Sequence, residues 1–97
     1  LDGEGGRVIP TYTEIGNKCA LIIRRVMEDG EKSHGKNVWF NNESSQRQVL
    51  LAARHLMTYQ LQASGEKPAD GDDHLVNALV RVAMALAKRD ECGTLCE

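Results

Sequence analysis

Two histidines, a run of acids and an amide fall around one stretch of this 97-residue chain: Arg54-His55-Leu56, then Gly65-Glu66, then Asp72-Asp73-His74-Leu75-Val76-Asn77. His74, Asn77 and Arg81 follow one another at i, i+3 and i+7, which is one stripe of a helix. If that stripe faces His55, then His55, Asp73, His74 and Asn77 converge on a pocket able to hold a hard metal or a phosphate. The plainer alternatives are a solvated helix face and a core histidine whose ring nitrogen is satisfied by a neighbour. One of Asp72 and Asp73 is needed to cap the helix they precede, which leaves the other free for a cation.

A second set of acids, Glu28 and Glu31, has the Glu-x-x-Glu spacing that puts two carboxylates on one helix face, a geometry suited to Mg²⁺. Arg24, Arg25, Lys32, Lys36 and Arg54 are the cations that could neutralise a phosphate. The chain has no Gly-x-x-x-x-Gly-Lys-[Ser/Thr], no His-Glu-x-x-His and no Gly-x-Ser-x-Gly. No covalent nucleophile is indicated, so any hydrolysis is expected to use metal-assisted attack by water.

Composition narrows the field. Hydrophobic residues make up 41% of the chain, enough for a folded domain with one modest core. Aromatics are only 4%, so that core must come from Leu, Val, Ile, Ala and Met. A net charge of −2 argues against nucleic acid as a partner, because binding along phosphates needs a basic patch. No apolar run approaches the roughly 18–20 residues of a membrane span, and no signal peptide is expected. Three cysteines (Cys19, Cys92 and Cys96) make no dense framework and fit a reducing, cytoplasmic compartment. Cys92-x-x-x-Cys96 has no second ligand pair to make a zinc site.

The elements that must carry these residues are helical. Residues 1–10 read as a lead-in, 11–90 as a single helical domain and 91–97 as a tail. Thr11 and Glu14 fit a capping box, and Ile15, Cys19, Ile22, Ile23, Val26 and Met27 then share one face. The first helix is expected over about 12–29, with Gly30 and Gly35 bracketing a frayed end. Residues 35–44 read as an ordered loop pinned by Trp39-Phe40. A second helix is expected over 45–63, with Ser45 and Gln48 as its capping box. It is apolar on two sides: Val49, Ala52, Ala53 and Leu56 on one face, with Leu50, Met57 and Leu61 beside it. A third helix over 72–89 carries a Leu75, Leu79, Val82, Leu86 seam at spacings of four, three and four. The expected fold is all-α, a small bundle of three main helices completed by dimerisation.

The order Gly30, Gly35, Trp39, Arg54-His55-Leu56, Gly65-Glu66 and His74-Leu75-x-x-Ala78 resembles the dATP/dGTP diphosphohydrolase N-terminal domain family of phage and mobile bacterial DNA. Its members show Gly-Ala-x-Lys-Tyr-Gly before Asn-Trp, then Arg-His-Leu, Gly-Glu and His-Leu-x-His-Ala. The likeness spans about residues 11–88. Here Glu31 stands where Ala is usual, His34 where Tyr is usual, and Asn77 where a second His is usual. Asn is a poorer transition-metal ligand than His but can still contact a nucleotide. The resemblance implies hydrolysis of a (deoxy)nucleoside triphosphate to release pyrophosphate, in the manner of MazG-like enzymes that use Mg²⁺.

On that reading His55, Asp73 and His74 are the candidate catalytic groups. Arg54, Glu66, Asn77, Arg81 and Trp39 are candidate substrate contacts, and Glu28, Glu31 and Asp73 are candidate metal ligands. The expected partners are a nucleotide and a second copy of the chain. Replacing His74, taken as solvent-facing, is expected to spare the fold. The alternative reading is a non-catalytic helical module that dimerises or binds a partner protein. A pocket lined by His55, Glu66, Asp73, His74 and Asn77 would discriminate between the two.

Overall fold

A computed structural model describes residues 8–92, and these form four helices with no strand among them. Most of the expected lead-in and tail, including Cys96, lies outside the described residues. The first helix, α1 (Tyr12–His34), starts with the Thr11–Glu14 capping box. Thr11 Oγ1 accepts from the Glu14 backbone N–H, and the Glu14 carboxylate accepts from the Thr11 N–H. The helix does not end at Gly30, as glycine's low propensity suggests; it continues to His34 and is capped by Gly35.

Gly30 is thus a helix-interior glycine, and a β-carbon there would meet nothing within 4 Å. Gly30→Ala is therefore expected to stabilise the protein by about 0.5–1 kcal/mol, because alanine loses less backbone entropy on folding. Thermal melts check this, and a lower melting temperature would show that the open space is used by something else.

The 35–44 segment is more regular than a loop. It holds a short helix, α2 (Val38–Asn42), entered through Asn37 in the left-handed region at φ 60°. Trp39 and Phe40 stack edge to face at 5.3 Å and are half-buried. The pin to the bundle is Lys88, whose Nζ donates to the Phe40 carbonyl at 2.8 Å and sits 4.5 Å from the Phe40 ring centroid.

Helix α3 (Ser45–Ala63) has Ser44, not Ser45, as its N-cap; Ser44 Oγ accepts from the Arg47 N–H. The helix closes on Gly65, at φ 83°. The Glu66 N–H reaches the Leu61 carbonyl and the Gly65 N–H the Gln62 carbonyl, so the last turn ends in a Schellman motif. Gly65 is needed there because only glycine enters the left-handed region without strain. The connection beyond it is tied back when Gln62 Nε2 donates to the Pro68 carbonyl.

Helix α4 (His74–Cys92) packs along α3, and α1 lies against α4. The packing face of α4 is not its leucine seam. The buried residues are His74, Ala78, Val80 and Ala85, with Arg81 half-buried between them. On α3 the buried residues are Ser45, Gln48 and Ala52. Small residues at Ala52, Ala78 and Ala85 let the two helices approach closely, and the polar side chains between them bond to one another. The polar stripe of His74, Asn77 and Arg81, for which the sequence left a solvated face and a face turned to His55 both open, is thus the packed one. Leu75, Val82 and Leu86 are left exposed, together with Val49 and Leu56 of α3, each by 43–56%.

By helical register these five side chains share one side of the α3–α4 pair. Buried Val80 and half-buried Val76 and Ala83 point to the other side, which α1 must cover.

Candidate functional site

Asp73 is the N-cap of α4: its Oδ1 accepts from the Val76 N–H at 3.1 Å and its carbonyl from the Asn77 N–H. That cap sets the first residue of the helix, His74, facing α3. One face of α3 offers Gln48, Ala52 and His55 in turn, so His74 meets His55. The two Nδ1 atoms are 2.9 Å apart, and the rings are tilted by 32° with centroids 5.1 Å apart. Asp70, four residues before His74, grips the far side of the ring. His74 Nε2 is 2.8 Å from Asp70 Oδ2 and 3.1 Å from Oδ1. Asp70 Oδ1 also accepts from the Asp72 N–H at 3.1 Å.

This makes a chain of three ionisable groups. Asp70 as a carboxylate can only accept, so the proton of that bond sits on His74 Nε2. With His74 neutral, its Nδ1 carries a lone pair, and His55 must donate its Nδ1–H into it. His55 Nε2 is then an unprotonated nitrogen. If His74 takes a second proton, the middle bond reverses: His74 Nδ1–H donates to His55 Nδ1, and the His55 proton moves to Nε2. The arrangement can therefore pass a proton from the Asp70 side to His55 Nε2 and back.

The hydrogen bond from His74, and that from the Asp72 N–H, hold the Asp70 carboxyl at about 2, below its usual 3.8. The His55 pKa is lowered from 6.5, chiefly by burial and then by the charges of His74 and Arg81. Both shifts make stability fall with acid. The lowered His55 value favours the neutral ring in the fold, so this contribution is complete above pH 6.5 and lost as pH falls through the lowered folded value. The Asp70 contribution is complete above 3.8 and lost as pH falls through about 2. Chemical denaturation at a series of pH values is expected to show a first loss of stability beginning near pH 6.5, absent in His55→Gln. A first loss unchanged by that substitution would remove His55 as its source.

The other expected site residues are dispersed. Arg81 is held in a structural bond, its Nη1 donating to Gln48 Oε1 at 2.8 Å, with Glu43 Oε1 at 3.8 Å. Gln48 is fully buried and is no capping-box partner; its Nε2 donates to Glu43 Oε1 at 3.4 Å. Asn77 is half-buried one turn beyond His74. Arg54 is exposed beside His55. Trp39 packs on Phe40 at the Lys88 end of α4, about 21 Å along the axis from His74 at 1.5 Å per residue. Glu66 takes a hydrogen bond from Ser64 Oγ. It lines an open surface hollow of about 560 Å³ with Met57, Tyr59, Gln60 and Leu61. A second hollow of about 480 Å³ lies by Val8, Pro10 and Glu14. Neither hollow is lined by His55 or His74.

The expected Mg²⁺ ligands do not come together either. Glu28 pairs with Arg24 on exposed α1, Glu31 lies on the same helix, and Asp73 is used as a cap. Among the described residues the cluster with metal-ligating potential is Asp70, Asp72 and His74, whose donor atoms lie within 4.8 Å of one another. Asp70 was legible only as a loop acid; the Asp-x-x-x-His spacing to His74 is the signal that marks it. Comparison with protein-family models, with curated proteins and with solved structures finds no match. No helix among the described residues is long and apolar enough to cross a membrane.

Proposed function

We propose that this chain is a self-associating helical module, two copies of which pair through the exposed side of α3 and α4. The observation that carries this is the five-residue apolar stripe of Val49, Leu56, Leu75, Val82 and Leu86, each 43–56% exposed. Ala53 and Leu79 lie on the same side by register, and none of these positions is charged. Burying the remaining half of each of five Leu or Val side chains contributes about 1 kcal/mol per side chain, or about 10 kcal/mol over two copies. The cost of association is about 4–15 kcal/mol, which leaves at most about 6 kcal/mol, so pairing is expected at tens of micromolar or weaker. A second copy suits the stripe because two such helix pairs, stacked face to face, complete a four-helix bundle around a shared core. Sedimentation equilibrium from one to several hundred micromolar tests this, and a monomer throughout that range rules it out.

A second reading is favoured by a separate observation. His55 and His74, both carried by motifs of the diphosphohydrolase resemblance, meet across two helices with a carboxylate behind them. That supports a (deoxy)nucleoside triphosphate pyrophosphohydrolase in which the His55–His74–Asp70 chain moves the proton of an attacking water. Pyrophosphate release from a panel of deoxynucleoside triphosphates with Mg²⁺ or Mn²⁺ is the assay. Activity lost in His55→Gln supports the reading, and no release above background removes it.

A further inference from the structure

We propose that His55 and His74 form a chelating site for a divalent transition metal of the zinc class, bound through their two Nδ1 atoms and oriented by Asp70. The inference goes beyond self-association and does not depend on nucleotide hydrolysis. Two imidazole nitrogens on one tetrahedral zinc, each at about 2.0–2.1 Å, lie about 3.3 Å apart. The two Nδ1 atoms stand at 2.9 Å, nearly in line with ring centroids 5.1 Å apart, so each ring must swing by about 35° to turn its Nδ1 lone pair onto a shared ion, with little movement of the helices.

The outer contact is also in place. A metal-ligating histidine commonly donates its other ring N–H to a carboxylate, which fixes the tautomer and raises the donor strength of the ligating nitrogen. His74 does this with Asp70 through Nε2, leaving Nδ1 for the metal. The ligands come from two packed helices, 19 residues apart, so helix packing holds their spacing. Asp72, exposed, keeps a carboxylate oxygen within 4.8 Å of a His74 ring nitrogen and adds negative charge. A nitrogen pair selects zinc, nickel or copper over Mg²⁺, which prefers oxygen ligands. Binding releases no net proton: the hydrogen held between the two Nδ1 atoms leaves and His55 takes one up at Nε2, so both rings stay neutral.

The test uses the full chain with Cys19, Cys92 and Cys96 replaced by Ser, since thiolates also take zinc. Zinc chloride is titrated calorimetrically. One ion per chain is expected, at micromolar affinity, with Mg²⁺ in excess failing to displace it. Asp70→Asn is expected to weaken binding about 10–100-fold, and His55→Gln by more than Asp70→Asn. No binding at 100-fold excess zinc, or equal binding by His55→Gln, overturns the proposal. Should the variants lose helicity, the histidine ring ¹⁵N shifts of the parent protein decide. Zinc-induced changes at Nδ1 of both rings support the site. Changes confined to the Nε2 atoms, or none, leave only a hydrogen-bonded histidine pair.

Discussion

Val82→Asp is expected to raise the self-association constant Kd at least about 100-fold while leaving the helical content intact. Val82 lies on the exposed side of α4, 43% accessible, between Leu75 and Leu86. In the free chain the new carboxylate is solvated, so the fold should lose little, within about 1 kcal/mol. In the pair it would be buried in both copies without a partner, and several kcal/mol per ion is the usual penalty. A factor of 100 corresponds to only about 2.7 kcal/mol, well within that range. Sedimentation of the variant beside the parent protein measures it. An unchanged constant would move the interface away from this side of the molecule. A fall in melting temperature of the monomer would show instead that Val82 belongs to the internal core.

His74→Ala is expected to destabilise the protein by about 2–4 kcal/mol, enough to lower the melting temperature by roughly 10 °C or more in a domain of this size. This reverses what the position suggests in sequence, where His74 opens a polar stripe. The side chain is 8% exposed and is bonded at both ring nitrogens. Its removal leaves a ring-sized gap between α3 and α4 and takes away the partner of His55. It also frees the Asp70 loop from the start of α4. Thermal and urea unfolding give the number, and a loss below about 0.5 kcal/mol would mean that α3 and α4 do not depend on this contact. Activity tests on His74→Ala alone would therefore confuse site loss with fold loss. His55→Gln is the better probe, because His55 is half-buried and an amide can still bond to His74.

The helical periods were legible because apolar spacing near 3.6 needs no tertiary information, and α3 ends within a residue of expectation at Ala63. The end of α1 was not. A lone glycine breaks helices only on average, and here Lys32 and His34 in the last turn favour continuation beyond it. The orientation of α4 was misread for a different reason. Hydrophobicity ranks Leu75, Leu79, Val82 and Leu86 as the inner face, but close packing of two helices is decided by size. Ala52, Ala78 and Ala85 permit that approach, and Gln48 meets Arg81 inside it. Nothing in a list of side-chain polarities separates a buried glutamine–arginine pair from two solvated residues. The His55–His74 meeting was legible because a short connection forces α4 back along α3. Asp70 was not, because its role depends on the exact path of that connection.

Helix α1 is the longest element, yet none of its residues is fully buried and its main contact is with α4. Its amide protons are therefore protected by the helix itself and by one half-buried apolar row, while α3 and α4 pack along each other through fully buried residues. Opening of α1 costs less than global unfolding, so its exchange with solvent deuterium should run ahead of the rest of the molecule. An arm that detaches at lower cost than its own domain unfolds can also dock on the α4 of a neighbouring copy. The same feature that leaves α1 lightly held thus makes this chain prone to exchange that helix between molecules.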